Sequence, residues 1–254
     1  SGRKGYLSLD DIGYGKVTGF KGINCRHDWN PYFEGSSKTY TDEQLKKWQD
    51  ETIEYKGKKM TKYEASQVQR NMERVIRQDK KELAGIQGIL TSNNTDEKLI
   101  EDTKTKFARK TLYYNSHKKE LEEFTNAIES KSDRTRMYIG QPEKTIKTNM
   151  KAITQIANKY NSNIVGKKVN NFEIKEVSEH IISRTYARNL DFEDIQDTLN
   201  NPLDYGKIKT DNQGRKSINI YGKKVTVSIN PDTGKLATAR PTNKRELKRY
   251  EHKE

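Results

Sequence analysis

The chain has a single cysteine, Cys25, so no disulfide can form within it, and nothing in its composition demands an oxidising compartment. No apolar run reaches 18 residues, which argues against a membrane-spanning helix. A charged, apolar, small-residue leader is missing too, so no signal peptide is visible. Neither the P-loop nor the dinucleotide fingerprint occurs, which removes the common nucleotide-binding classes. Hydrophobic residues make up only 31% of the 254 positions, against about 45–50%, Gly included, in ordinary globular chains. Such a chain predicts one to three domains rather than one large core. Small domains joined by polar helices fit it, as does a part that completes its burial inside an assembly. The Ser1-Gly2 start lacks Met and resembles a cloning junction. We therefore expect a fragment of a longer protein.

What the chain does have is charge. One residue in three is charged and the net charge is +13, which favours polyanionic partners such as nucleic acid, solubility being the bland alternative. The excess is uneven: residues 172–254 carry +3 and the first 171 carry +10. Charge alone therefore does not locate a function.

Residues 5–40 are rich in Gly and aromatics and read as loops and turns. Cys25 and His27 invite a metal reading, but zinc takes three or four protein ligands. The other histidines are the scattered His117, His180 and His252. We expect no metal and a loop-pinning role for the pair. Thr41-Asp42-Glu43-Gln44 and Thr61-Lys62-Tyr63-Glu64 are capping boxes. The first predicts a short helix to about residue 50. The second predicts a longer one to about residue 90, with Val68, Met72, Val75, Ile76, Leu83 and Ile86 on one stripe. After a polar turn at 91–95, a helix is predicted over 96–130, with Ile100, Phe107, Tyr114, Leu121 and Ile128 recurring every seven residues. Two long amphipathic helices joined by a short loop predict an antiparallel hairpin, either an assembly arm or a plain spacer. A break over 131–142 and a helix over 143–160 follow. The Asn-rich stretch 161–171 reads as a link between domains 1–160 and 172–254.

The last eighty residues read differently. Glu179-His180-Ile181-Ile182-Ser183-Arg184-Thr185-Tyr186-Ala187-Arg188 predicts a helix with His180 and Arg184 side by side and Arg188 one turn on. Tyr186 falls on another side, in the core or at the rim. Asp191 N-caps a second short helix that Asn201-Pro202 stops. Strands are predicted over 203–210, 216–221, 225–230 and 235–240. They are joined by turns at 211–214, at Gly222-Lys223 and at Pro231-Asp232-Thr233-Gly234, the last a type I turn with Gly left-handed. Lys244 onward reads as a charged tail. The fold class is α+β: a mostly helical N-terminal region, then two helices and a four-stranded antiparallel sheet.

Two resemblances follow from quoted residues. Gly22-Ile23-Asn24-Cys25-Arg26-His27, Pro31-Tyr32 and Gly35, then the long helix with Gln69-Arg70 and Arg74, resemble the C-terminal part of tailed-phage minor capsid protein 2 over about residues 5–160. His180, Arg184, Arg188 and Asn201-Pro202, with 225–230 and Thr238-Ala239-Arg240-Pro241-Thr242, resemble the phage-associated branch of the barnase–EndoU–colicin–RelE nuclease superfamily. The second resemblance implies a metal-independent ribonuclease, often a toxin. RNA, tRNA included, would be its substrate, and an immunity protein a partner. The first implies portal or other head proteins as partners. Together they imply a virion location, with delivery into the host cytoplasm.

Such a ribonuclease cuts by attack of the 2′-OH, leaving a 2′,3′-cyclic phosphate, and needs no cofactor. It requires a base, an acid and cations for the pentacoordinate phosphate. His180 would be base or acid. Arg184 and Arg188 would clamp phosphate. Thr238, Arg240 and Thr242 alternate onto one strand face and would join the site if that face meets the His180 helix. The bland alternatives are a solvated basic helix face, a salt bridge at Arg240 and plain β-propensity for the threonines. Two other functions stand beside this one. A non-enzymatic head protein fits the low apolar content. An ADP-ribosyltransferase would want a Ser-Thr-Ser strand and a paired Glu motif, and both are absent.

Overall fold

The computed structural model describes residues 7–23, 25, 27–29, 33, 35–93 and 95–250. Ser1, Gly2, Asn24, Arg26, Pro31, Tyr32 and His252, singled out above, lie outside the described residues. The chain divides into two compact units, Ser1–Glu51 and Thr52–Glu254.

Among its described residues, the first unit is turns plus one helix. Tyr14, Phe20 and Trp29 pack with ring centroids 5.9–6.4 Å apart. Helix α1, Asp42–Asp50, starts at the predicted capping box. Gln44 donates its backbone N–H to Thr41 Oγ1 at 3.2 Å, and Thr41 N–H is returned to Gln44 Oε1 at 3.0 Å. No described residue of this unit is buried.

The second unit opens with a hairpin absent from the expectations, β1 (Thr52–Tyr55) and β2 (Lys58–Thr61). Lys56 and Gly57 turn it with φ of 49° and 76°, the pairing that suits a tight primed turn. Helices α2 (Lys62–Leu90) and α3 (Glu97–Ala127) then form the predicted hairpin, and α4 (Pro142–Asn163) packs on both. The buried stripe of α2 is not the apolar one alone. It runs Ala65, Gln69, Glu73, Ile76, Asp79, Leu83, Gln87. Glu73 accepts from Gln69, from the Asp133 backbone N–H and from Arg136. Asp79 holds Lys110 and His117, both at 2.7 Å.

The stretch 161–171, expected as a link, ends α4 and enters a small hairpin, β3 (Lys168–Val169) and β4 (Phe172–Glu173), with Ile164 and Val169 buried. Then come β5 (Glu176–Val177), α5 (Glu179–Ala187), α6 (Phe192–Asn200), β6 (Asp204–Tyr205), β7 (Lys209–Thr210), β8 (Lys216–Tyr221), β9 (Val225–Ile229), β10 (Lys235–Pro241) and α7 (Lys244–Tyr250). The sheet runs β5-β10-β9-β8-β6. Its centre is the predicted antiparallel meander, with Gly234 at φ 70° in the last turn. Two features correct the four-strand expectation. The first expected strand breaks into β6 and β7, and the two-residue β5 adds a parallel edge beside β10. A third correction is α7, which forms where a charged tail was expected. Arg240 grips Glu246, and Tyr221 stacks on Tyr250 at 4.6 Å.

The sheet's inner rows, Ile218–Ile229–Leu236 and Ile220–Val227–Ala239, face α5 and α6. The buried core is continuous from there through Ile181, Ile195 and Tyr160 to Ile153, Phe107 and Leu83. Low apolar content thus yields one elongated core in this unit. Among the described residues no helix is long and apolar enough to cross a membrane.

Candidate functional site

Ser178 sets the site's frame. Its Oγ caps α5 by accepting from the Ile181 N–H at 3.2 Å and donates to the Ala237 carbonyl at 2.7 Å, so the helix start is tied to β10. Ile181, Ile182 and Thr185 fill the core side. Thr185 meets the Tyr160 hydroxyl at 2.8 Å, and Tyr186 is half-buried. His180, Arg184 and Arg188 are left on the remaining face.

The two guanidiniums already hold an anion. Arg184 donates to Glu101 Oε1 at 2.6 Å, and Arg188 Nε donates to the same oxygen at 3.0 Å. A second arm of Arg188 donates to the Ala239 carbonyl at 3.0 Å. Glu101 comes from α3. The Arg188 hydrogen bond is the chief reason its carboxyl stays below the usual glutamate range. His180 lies exposed at the start of α5. Partial burial of its ring, then the charges of Arg184, Arg109 and Arg188, push the imidazole below its ordinary value, which favours its neutral form.

Strand alternation does put Thr238 and Arg240 on one face. That face lies opposite the Leu236 and Ala239 side on which α5 packs. Arg240 therefore sits in the row Tyr221–Thr226–Arg240 and forms a two-point ion pair with Glu246 at 2.6 and 2.8 Å. Thr242 bonds Thr226 at 2.9 Å and donates to the Gly222 carbonyl at 2.9 Å. Thr238 follows a bulge in β10 and opens onto the cleft that His180 also lines. The two line one cleft of about 560 Å³ with Ser178, Ser217, Asp211 and Arg215. The cations there are engaged: Arg215 with Asp211, Lys216 with Asp232 and Lys235 with Glu176.

The structure thus makes three groups of the six residues. His180 joins Thr238, Arg184 joins Arg188 around Glu101, and Arg240 and Thr242 serve the α7 side. Glu101, Arg109 and Glu246 were missing from the sequence reading. Glu101 lies more than eighty positions from its partners, and no local pattern marks it. In the first unit Cys25 Sγ lies 3.5 Å from His27 Nδ1, and the imidazole lowers the thiol's pKa. Among the described residues no group of three or more His, Cys, Asp or Glu could hold a metal ion.

By architecture this is an α+β protein whose helical hairpin runs into a helix-backed sheet, with the His180 cleft on the sheet's polar side. By comparison, residues 1–112 match the family model of phage minor capsid protein 2. No curated protein and no solved structure matches the chain. The N-terminal resemblance therefore has a counterpart over those residues, and the nuclease resemblance of 172–254 has none.

Proposed function

We propose that the chain is a non-enzymatic structural protein of a phage head, located in the virion and held there by other head proteins, the portal among them. The observation that carries this is the match of residues 1–112 to phage minor capsid protein 2. The first unit supports it physically. No described residue of it is buried, while Leu7, Val17, Ile23 and Phe33 are 67–76% exposed. Apolar surface of this kind marks a contact site. Within the second unit, the α2–α3 hairpin supplies a stiff spacer. The test is the protein inventory of purified particles, wild type against Leu45→Glu/Trp48→Glu on the exposed side of α1. The variant should be depleted from particles while staying soluble. Particles that never contain the protein would sink the proposal.

One observation keeps the ribonuclease as a second reading: His180 shares a cleft with Thr238. In that reading Glu101 occupies the anion position that phosphate would take at Arg184 and Arg188. Cleavage of RNA in EDTA, abolished by His180→Ala and raised by Glu101→Gln, would favour it. Intact RNA with both the wild type and Glu101→Gln would remove it.

A further inference from the structure

Away from α5, a cleft of about 570 Å³ opens where α4 meets α3 and the loop before α4. Ile146 and Met150 form its floor with the half-buried ring of Tyr114. Asn115 donates to Thr154 at 3.0 Å and ties the α3 wall to the α4 wall. Lys144, Lys147 and Lys151 stand along one side, Lys118 on the other, and Tyr138 is 58% exposed at the mouth. Lys80 is spoken for by Glu143 at 2.7 Å, and the second oxygen of Glu143 has no partner among the described residues. None of the other four lysines has a carboxylate partner among the described residues.

That arrangement costs the free protein something. Lys144, Lys147 and Lys151 recur at three- and four-residue spacing, so like charges crowd one helix face. Their row spans about 10 Å along α4. By contrast, Lys110 in the neighbouring hairpin is paired, with Asp79 and Glu82. An unpaired row beside an exposed aromatic ring and an apolar floor matches the two requirements of an unpaired nucleic-acid strand: cations that follow the phosphates and a ring on which a base stacks. We infer that this cleft binds single-stranded nucleic acid, with Lys118, Lys144, Lys147 and Lys151 on the phosphates and Tyr138 under a base. An acidic peptide would satisfy the lysines and leave the tyrosine unused. The inference stands apart from the virion reading, which is carried by the match of residues 1–112, and from the α5 site, none of whose residues it uses.

The test is fluorescence anisotropy on the full chain with labelled dT12 and U12, from 50 to 200 mM salt. Lys144→Glu/Lys147→Glu/Lys151→Glu should weaken binding at least tenfold and flatten the salt slope by about 2, at ~0.7 per lost phosphate contact. Tyr138→Ala should cost about 5- to 100-fold with little change in slope. A charge-matched control, Lys58→Glu/Lys59→Glu/Lys223→Glu, should cost less than threefold. All these positions are exposed, and unchanged thermal unfolding would show that the variants fold. Four outcomes overturn the inference: no binding at 50 mM salt, an equal loss in the control, indifference to Tyr138→Ala, or stronger capture of a poly-Glu peptide than of either strand.

Discussion

The two long-range seams of the second unit are built from different materials. On β8, β9 and β10, every strand position facing the covering helices is aliphatic: Ile218, Ile220, Val225, Val227, Ile229, Leu236, Ala239. Along the buried side of the hairpin helix α2, Gln69, Glu73, Asp79 and Gln87 alternate with Ala65, Ile76 and Leu83, and their partners come from α3, α4 and the 130–136 loop. The sheet seam gains stability from the volume it takes out of water. The hairpin seam gains less from burial and more from geometry, because each buried polar group must find a partner at one register only. A chain with 31% hydrophobic residues can therefore keep one long core. It concentrates aliphatics at the sheet and spends hydrogen bonds along the arm.

This contrast can be broken from either side. The largest effect should come from Ile220→Ala, at about 3–4 kcal/mol for a fully buried aliphatic deletion, seen as a pH-independent loss in urea unfolding. In the arm, Glu73→Ala removes the acceptor of three donors and should cost about 2–3 kcal/mol. Glu73→Gln should recover part of it, because a carbonyl oxygen still accepts. Full recovery with Glu73→Leu would show that the seam is governed by volume after all.

Where the two regions meet, Glu101→Gln should cost about 0.5–1 kcal/mol at neutral pH, with solvent screening discounted because Glu101 is partly exposed. The Glu101 carboxyl is held low by Arg188, so its contribution is present above the ordinary 4.5 and lost as pH falls through the folded value. The difference between wild type and Glu101→Gln should accordingly close in acid. The smallest effect is at His180. Its folded pKa is depressed, so the neutral ring contributes stability above 6.5 that is lost as pH falls toward the folded value. An NMR titration should place its midpoint below 6.5, and Arg184→Met should move that midpoint upward.

Much of the local structure was legible. Both capping boxes start helices, α5 begins at Glu179 as predicted, and β8 occupies residues 216–221 as expected. These features are written in neighbouring residues. What was illegible depends on distant ones. The edge strand β5 is two residues long and exists only because β10, some sixty positions later, lies beside it. Helix α7 has no buried residue and is held by contacts of Glu246 and Tyr250, so its sequence reads as a tail. The polar seam of α2 defeats any search for apolar stripes. For the candidate site, the helical spacing of His180, Arg184 and Arg188 was readable. Their use was not, because a single α3 carboxylate takes both guanidiniums and divides the trio.

The place of β10 also sets an order of events during synthesis. The penultimate element of the described chain lies inside the sheet, between β5 and β9, and its Ala237 carbonyl receives the capping hydroxyl of α5. While residues 235–241 are still in the ribosome, the hairpin and α4 can fold from local contacts, but β5 and β9 each face solvent with an open edge. A nascent chain stalled short of Pro241 would therefore carry a finished arm and an unfinished, self-adhesive sheet. Docking of residues 235–241 acts as the latch that closes both open edges at once.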